Sequence, residues 1–313
     1  MLLTNIKRSV IASALLLLLG SAAQAGTLWV NCGGKGGLNS IGAALKSLQN
    51  FESREPTTIN VSGACHENVV IQSIDRLTLT AINGASVTDA SGGALDVISI
   101  NDSRDVAING FKVNATSSAV GANGVSCNDF STCRLSVNVI QGAAGAGFAV
   151  FQQSQATLDG DTLQNNPGVG VEVHSGSKLR SGTRPFTSSG NGQGINVGRQ
   201  ALAFVSAGIV NNSDQGVVVQ EQSTFDLISG SISGNGSVGA HIREGSVARF
   251  ASATIGGNAG AGVLIHDLSM VTFSGATVTG NGGGTDVVCA PQFPATRGTT
   301  TDINGGTTNC VEP

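Results

Sequence analysis

The chain has 313 residues, of which 12% are charged, with 20 Asp and Glu against 16 Lys and Arg. A nucleic-acid-binding protein would carry a basic stripe, and the sequence shows none, so we expect no nucleic acid partner. Its 45 glycines alone would suit a disordered chain, but 40% of the residues are hydrophobic, which favours a folded protein with a buried core.

The first 25 residues have the features of a cleavable export signal. Lys7 and Arg8 give a positive start, the segment 10–19 is apolar, and Ala23-Gln24-Ala25 has the small-x-small pattern of a cleavage site. We therefore assign 1–25 as a signal peptide and predict a periplasmic or secreted protein. No later segment approaches the ~20 apolar residues that a membrane helix requires, so we predict no membrane insertion.

Residues 26–66 are predicted to form an N-terminal cap that contains one helix. Four apolar residues of the segment 40–51 fall on one helical stripe: Ile41, Ala44, Leu45 and Leu48. Asn39 or Ser40 can serve as the N-cap. Such a helix would cover the apolar end of the structure that follows.

Residues 67–288 contain a repeat of about 23 residues that is marked by a glycine. The glycine recurs at Gly124, Gly147, Gly170, Gly194, Gly216, Gly239, Gly262 and Gly284. An apolar–any–apolar triplet follows it in most repeats, and then come a second alternating stretch and a third apolar position. Three short strands per repeat are the cross-section of a parallel β-helix, so we predict an all-β solenoid of about ten coils.

An asparagine recurs in nearly the same register after the third apolar position. Its copies are Asn166, Asn212, Asn235, Asn258 and Asn281, and the coil after the first copy has Ser189 in that place. Asparagine tolerates left-handed backbone and can form hydrogen bonds with a stacked copy of itself. We therefore predict an asparagine ladder along the solenoid.

The six cysteines are predicted to form three disulfides, because disulfides persist in exported chains and the number is even. Six cysteines allow 15 pairings. Their clustering at the start, middle and end favours Cys32–Cys65, Cys127–Cys133 and Cys289–Cys310. The last pair would staple a C-terminal tail, 289–313. A metal site is the weaker alternative, since there is no CxxC motif and no histidine at a familiar zinc spacing.

The repeat, the capping helix and the segment 61–71 (VSGACHENVVI) together resemble the pectate-lyase-like superfamily of right-handed β-helix proteins. That segment is similar to one in pectin methylesterases and in repeat proteins of the carbohydrate-binding and sugar-hydrolase type. The resemblance implies a polysaccharide partner, although a shared scaffold does not by itself carry function. The Asn-Thr-Asp motif of polygalacturonases, the Asp-Pro-His motif of mannuronan epimerases and the aspartate-bearing strand of pectin methylesterases are absent, which argues against those three activities.

One face of the predicted solenoid gathers acids and histidines, because residues at equal offsets from the repeat glycine form columns about 4.8 Å apart. The candidate binding residues on this turn face are Glu172, His174, Arg199, Glu221, His241, Arg243, Glu244, His266 and Asp267. The carboxylates of Glu221, Glu244 and Asp267 lie on consecutive coils, an arrangement that suits Ca²⁺. The alternative is a solvated column of acids that pair with arginines.

The sequence leaves two functions open and assigns no catalytic residue. The first is an exported protein that binds a polysaccharide along the strand face, with lyase-like cleavage of uronate polymers as its extension. The second is a non-catalytic structural or adhesive module of the cell envelope, which the low charge and regular repeat favour. One Trp and no Tyr leave few of the side chains that commonly stack on sugar rings.

Overall fold

The structure is a computed structural model that describes residues 26–34, 37–49, 55–118, 121–290, 297–299 and 305–310. The predicted signal peptide, 1–25, lies outside these residues, as do the last two positions of the predicted helix. Within the described part of the chain, no helix is long and apolar enough to cross a membrane.

The described elements are one helix and a succession of short strands. The first half of the chain contains β1 (Gly26–Cys32), α1 (Ile41–Gln49), β2 (Thr57–His66), β3 (Val69–Gln72), β4 (Leu77–Thr88), β5 (Ile98–Asn101), β6 (Val106–Asn109), β7 (Lys112–Asn114), β8 (Val125–Asn128), β9 (Thr132–Ser136), β10 (Val139–Gln141), β11 (Ala146–Val150), β12 (Gln155–Asp159) and β13 (Thr162–Gln164). The second half contains β14 (Val169–Val173), β15 (Lys178–Ser181), β16 (Phe186–Ser189), β17 (Gln193–Val197), β18 (Leu202–Val210), β19 (Val217–Val219), β20 (Thr224–Ser233), β21 (Ala240–Ile242), β22 (Val247–Ala251), β23 (Ala253–Gly256), β24 (Val263–Ile265), β25 (Met270–Ser274), β26 (Thr277–Val278), β27 (Val287–Cys289) and β28 (Arg297–Thr299).

These strands pair in parallel with the equivalent strands of neighbouring coils. Ten of them form the first sheet, in the order β3, β5, β8, β11, β14, β17, β19, β21, β24 and β27. The other eighteen form a second sheet that bends between two rows of strands. This parallel stacking of three short strands per coil confirms the predicted all-β solenoid. At about 4.8 Å per coil, about ten coils make a rod roughly 50 Å long.

The inward residues of the three rows fill one core along the rod. In the coil of β19 and β20, both Val217 and Val219 of the first sheet are fully buried, as are Phe225 and Ile232 of the second. The core continues through stacked phenylalanine rings on three coils, with centroids 6.2 Å apart for Phe225–Phe250 and 5.8 Å apart for Phe250–Phe273. Alternation of apolar residues therefore marks the inward positions, as predicted.

A buried asparagine ladder precedes the first sheet, consisting of Asn166, Asn191, Asn212, Asn235, Asn258 and Asn281. The backbone N–H and Nδ2 of Asn235 donate to Oδ1 of Asn258 at 3.1 and 2.8 Å. The prediction was wrong for one coil, where Asn191 and not Ser189 joins the ladder. That coil has extra residues in the bend after β15, which shift the ladder position. The left-handed backbone belongs to the residue before each asparagine, such as Gly234 with a φ of 66°.

A second ladder, of buried serines, follows the first sheet and was not predicted. The backbone N–H of Ser131 donates to Ser154 Oγ at 3.1 Å. The ladder comprises Ser103, Ser131, Ser154, Ser177, Ser223, Ser246 and Ser269. Ile74 and Ala201 take the same place in two other coils, where they donate a backbone N–H to the next serine but offer no hydroxyl. Both ladders supply hydrogen bonds to buried backbone groups at the turns, where strand pairing cannot supply them.

The helix covers the N-terminal end of the core. Ser40 is the N-cap, since its Oγ accepts the N–H of Ala43 at 3.1 Å. Glu67 adds a second cap, accepting the N–H groups of Ile41 and Gly42 at 2.8 and 2.9 Å. The buried side of the helix faces the first coils, which confirms the predicted stripe.

The cysteines are paired as predicted, in Cys32–Cys65, Cys127–Cys133 and Cys289–Cys310. The last coil differs from the prediction because Gly284 does not hold the repeat-glycine position. Asp286 holds it, and its carbonyl accepts the N–H of Val263 at 2.9 Å. Its Oδ1 also accepts Nδ2 of Asn281 at 3.0 Å. A carboxylate thus takes the place of the next asparagine at this end of the ladder.

Candidate functional site

The structure places the turn-face residues at the ends of first-sheet strands and in the following turns. Strand register aligns Glu172 with Asn196, Val218, His241 and Leu264 in one outward column. The turn residues Arg199, Glu221, Glu244 and Asp267 all have left-handed backbone, with φ between 49° and 58°. The predicted columns are therefore present.

Two acids of the turn face, Glu221 and Glu244, form separate ion pairs with arginines. Arg199 Nε lies 3.6 Å from Glu221 Oε2, and Arg243 Nε lies 3.7 Å from Glu244 Oε1. The side chains of these four residues are between 38% and 67% exposed, so solvent screens the pairs, although the Oε2 atom of Glu221 is itself shielded. The pairing matches the solvated alternative considered for this column.

The predicted calcium ligands do not converge. Across the described ranges, Cys32, Cys65 and Glu67 are the one group of three His, Cys, Asp or Glu donor atoms within 4.8 Å of one another, and both cysteines are in a disulfide. A calcium ion in the acidic column would need its carboxylates to leave their arginines and turn towards a common centre. The calcium site stays a prediction.

Two histidines of the turn face stack on neighbouring coils. The rings of His241 and His266 are 5.0 Å apart, edge to face. Burial lowers the pKa of His241 to about 4, and the positive charges of His266 and Arg243 add to the shift, while Asp267 partly opposes it. His241 is therefore neutral at neutral pH.

A third histidine, His174, is withdrawn from solvent. Its Nε2 lies 3.6 Å from Glu172 Oε1. A Cβ on Gly198 would lie 2.9 Å from that Nε2 and 3.3 Å from Glu221 Oε2, so the glycine leaves room for both side chains. Because both atoms are shielded from solvent, neither can act on a ligand without a side-chain movement.

An open cleft of about 380 Å³ lies on a different surface, over strands β6, β9, β12 and β15 of the second sheet. Its axial column is Ala107, Arg134, Thr157 and Arg180, on successive coils. Lys178 lies beside this column, next to Gln155 on the preceding coil. Three cations, Arg134, Lys178 and Arg180, thus surround a floor of short side chains, with Asp105 as the one acid in the lining.

An aromatic ring continues the same column beyond the cations. Phe204 aligns with Arg180 on the next coil, and the Arg180 guanidinium carbon lies 5.8 Å from the centre of its ring. This surface was not predicted from the sequence. The signal was a charged residue between two buried ones, as in Cys133-Arg134-Leu135, because strand alternation turns such a residue outward.

Comparisons with known proteins agree with this architecture. Residues 186–302 match a family model described as a right-handed β-helix region. The A-module of the Azotobacter vinelandii mannuronan C-5 epimerase AlgE4 superposes with a TM-score of 0.65 at 14% identity, covering 91% of this chain and 98% of the module. The AlgE6 A-module of the same organism gives 0.65 at 15%, covering 91% and 96%.

A more distant similarity involves a viral protein. The enzymatically active domain of tailspike protein 2 from bacteriophage CBA120 gives a TM-score of 0.59 at 12% identity, covering 80% of this chain and 42% of the other. No curated protein sequence matches the chain. Similarity at these identities concerns the fold alone. The stacked parallel coils, the family model over 186–302 and these superpositions show that the chain has a right-handed parallel β-helix fold of the pectate-lyase-like type.

Proposed function

We propose that this chain is an exported protein that binds an acidic polysaccharide in the cleft that contains Arg134, Lys178 and Arg180. The cluster of three cations in one cleft carries the proposal. Guanidinium groups bind carboxylates through two parallel hydrogen bonds, and a lysine ammonium adds a compact charge. Because Arg134 and Arg180 are two coils apart, a polymer along the rod axis would meet cations about 10 Å apart.

A cluster of three cations is unusual for a chain of this composition. The protein is acidic, with a net charge of −4, and few of its residues are charged at all. Three cations in one cleft are therefore not a by-product of a basic surface. A polyanion would gain its affinity from short-range contacts in the cleft, since the overall charge of the protein does not attract it.

Two further observations support a sugar ligand. Phe204 offers a half-buried aromatic ring next to Arg180, and such a ring can lie against the apolar face of a sugar. Two proteins that share the fold are mannuronan C-5 epimerases, which are named for a uronate polymer. Because that similarity concerns the scaffold, the cleft remains the main argument.

The test compares uronate oligomers with the same oligomers after reduction of their carboxyl groups, using titration calorimetry. We expect binding of the acidic oligomer, and about a tenfold loss for Arg180→Gln or Lys178→Gln, since each removes a charged hydrogen-bond partner. Lys46→Gln, on the exposed side of α1, is the control and should bind like the parent. Equal affinity for the acidic and the reduced oligomers would contradict the proposal.

Lyase-like cleavage is the finer part of the proposal, with the turn face as the source of acid and base groups. The same mixtures, followed by the ultraviolet absorbance of the unsaturated product of β-elimination, test it with and without calcium. No absorbance change with any uronate polymer would restrict the function to binding.

A non-catalytic structural module is the second candidate. The asparagine and serine ladders favour it, because continuous hydrogen bonding between coils makes a stiff rod. A parent protein that binds no polysaccharide in the calorimetric test would support this candidate over the first.

A further inference from the structure

A buried carboxylate at the edge of the cleft holds two guanidinium groups. The side chain of Asp159, at the end of β12, is 4% exposed, and its Oδ2 lies 3.2 Å from Nη2 of Arg134 and 3.0 Å from Nη2 of Arg184. Its Oδ1 accepts the backbone N–H of Arg184 at 2.9 Å and the Nε–H of the same residue at 3.4 Å. Arg184 therefore binds both carboxylate oxygens, whereas Arg134 binds one.

The bend between β15 and β16 brings Arg184 to this carboxylate. A Cβ on Gly182 would lie 2.6 Å from the Cβ of Asp159, so only glycine lets the backbone pass this close. Nη2 of Arg184 also donates to Ser136 Oγ at 2.8 Å, two coils away. The Arg184 side chain is half exposed, but contacts with the two preceding coils hold it in place.

This cluster holds more positive than negative charge, since the one carboxylate of Asp159 faces two guanidinium groups. Hydrogen bonds from Arg184 hold the pKa of Asp159 well below its usual range, so this carboxylate is ionised near neutral pH. One carboxylate cannot neutralise two guanidinium groups. Asp161, the neighbouring buried acid, accepts hydrogen bonds from Asn138 and from the backbone N–H of Asp159. It makes no ion pair with either arginine, although it lies close enough to Arg184 for their charges to interact. The charge that Asp159 leaves over belongs to Arg134, whose side chain is 59% exposed.

We propose that Arg184 is a positioning residue, which binds both oxygens of Asp159 and so leaves Arg134 available to an acidic group in the cleft. The inference rests on the proposed function, because Arg134 needs an acidic ligand to act on. Without the Arg184 guanidinium, Arg134 no longer shares Oδ2 of Asp159, and Oδ1 keeps only the backbone N–H of residue 184 and the Thr183 hydroxyl, so that Oδ1 can accept a bond from Arg134 as well. A two-bond ion pair would then hold this guanidinium at Asp159 and neutralise it.

The test uses Arg184→Gln with Arg249→Gln as its matched control. Arg249 also pairs with a little-exposed acid, Asp226, through Nε at 3.0 Å and Nη2 at 2.8 Å. It lies in the same outward column as Arg180, three coils further along. Each variant removes one cation and one ion pair. We expect the dissociation constant for a uronate oligomer to rise about tenfold for Arg184→Gln and less than about twofold for Arg249→Gln.

A double-mutant cycle separates positioning from general stabilisation. Since Arg184 acts through Arg134, Arg134→Gln combined with Arg184→Gln should bind no more weakly than Arg134→Gln alone. A merely structural Arg184 would weaken binding by the same factor whether or not Arg134 is present. Arg184→Lys keeps the charge but not the two-oxygen grip, so we expect partial recovery of affinity. If Arg184→Gln does not fold, the lysine variant completes the cycle.

The outcomes distinguish the inference from the function on which it rests. Equal losses for Arg184→Gln and Arg249→Gln, or additive losses in the cycle, would overturn the positioning role while the parent still binds. A parent that binds no uronate oligomer, or binds the carboxyl-reduced oligomer equally well, would overturn the proposed function itself.

Discussion

His241 is a residue whose protonation is decided by its place in a stack. It lies between Val218 and Leu264 in the outward column of the first sheet, so its ring has apolar neighbours on both adjacent coils. The neighbouring His266 and Arg243 add positive charge, and the neutral imidazole is favoured for both reasons. The pKa of His241 thus depends on the residues of the two adjacent coils and on its near neighbours in the turn.

The depressed pKa of His241 predicts a loss of stability in mild acid. An unfolded chain binds a proton below pH 6.5, whereas the folded chain binds it only as the pH approaches about 4. We therefore expect the melting temperature to fall as the pH is lowered from about 6.5 to about 4. His241→Gln should make this fall smaller, because the variant has no histidine to protonate at this position. Thermal denaturation at a series of pH values measures it. His66→Gln, at an exposed histidine, is the control and should show the same dependence of melting temperature on pH as the parent. The same dependence in His241→Gln would contradict the role given to His241.

The acidic column makes a prediction about calcium. If Glu221, Glu244 and Asp267 bind Ca²⁺, the ion stabilises the folded state by about 2.7 kcal/mol at a hundredfold excess over its dissociation constant. The melting temperature should then rise with calcium and return with a chelator, and Glu244→Gln should remove most of the response. A solvated column would show no calcium response. In that case Glu244→Gln would cost less than about 1 kcal/mol, because its partner Arg243 is a half-exposed surface cation.

Strands are kept in register by backbone contacts that exclude a side chain. A Cβ on Gly216 would lie 2.6 Å from the carbonyl oxygen of Gly239 and 2.7 Å from Nδ2 of Asn235. The glycine is therefore required by the close approach of the next coil. Gly216 does not have a positive φ, so this contact and not a left-handed backbone selects glycine here.

Gly216→Val should accordingly destabilise the rod, by about 3 kcal/mol, because the added carbons force neighbouring coils apart. Chemical denaturation measures the change. Gly208→Val is the control, since a Cβ at this outward strand position meets only Thr187 Oγ1 at 3.9 Å. Similar stability in the two variants would show that the coil contacts are wrongly placed.

The inward positions of the strands could be predicted from the sequence, whereas the outward positions that form the cleft could not. The inward positions alternate in every coil, so the three rows of strands and the core could be predicted. Outward positions carry no such period: Arg134 and Arg180 are separated by Thr157, and no column of cations recurs. The cleft depends on which unlike residues become neighbours across coils. Asn191 was misplaced for a related reason, because a longer bend upstream changed the spacing on which the prediction relied.

At the scale of the whole molecule, the disulfides should contribute unequally. Cys32–Cys65 spans 33 residues and Cys127–Cys133 spans six. In the loop-entropy model, loss of the first costs about 3–4 kcal/mol and loss of the second about 2 kcal/mol. All four cysteines are buried, so replacement of each pair by alanines adds a similar cavity cost and the difference reports the loops. Denaturant unfolding of the two double variants measures it, and the reverse order would contradict this account.

The ladders also bear on how such a chain changes in length. Strands of each coil pair with those of the coils directly before and after it, so a duplicated unit such as 217–239 would find its hydrogen-bonding partners ready on both sides. The copied Ser223 and Asn235 would extend their ladders by one residue each. The contacts of the capping structures at the two ends would stay as they are. Whole coils are thus the natural unit of gain or loss, and a duplication lengthens the outer surface without redesigning either end.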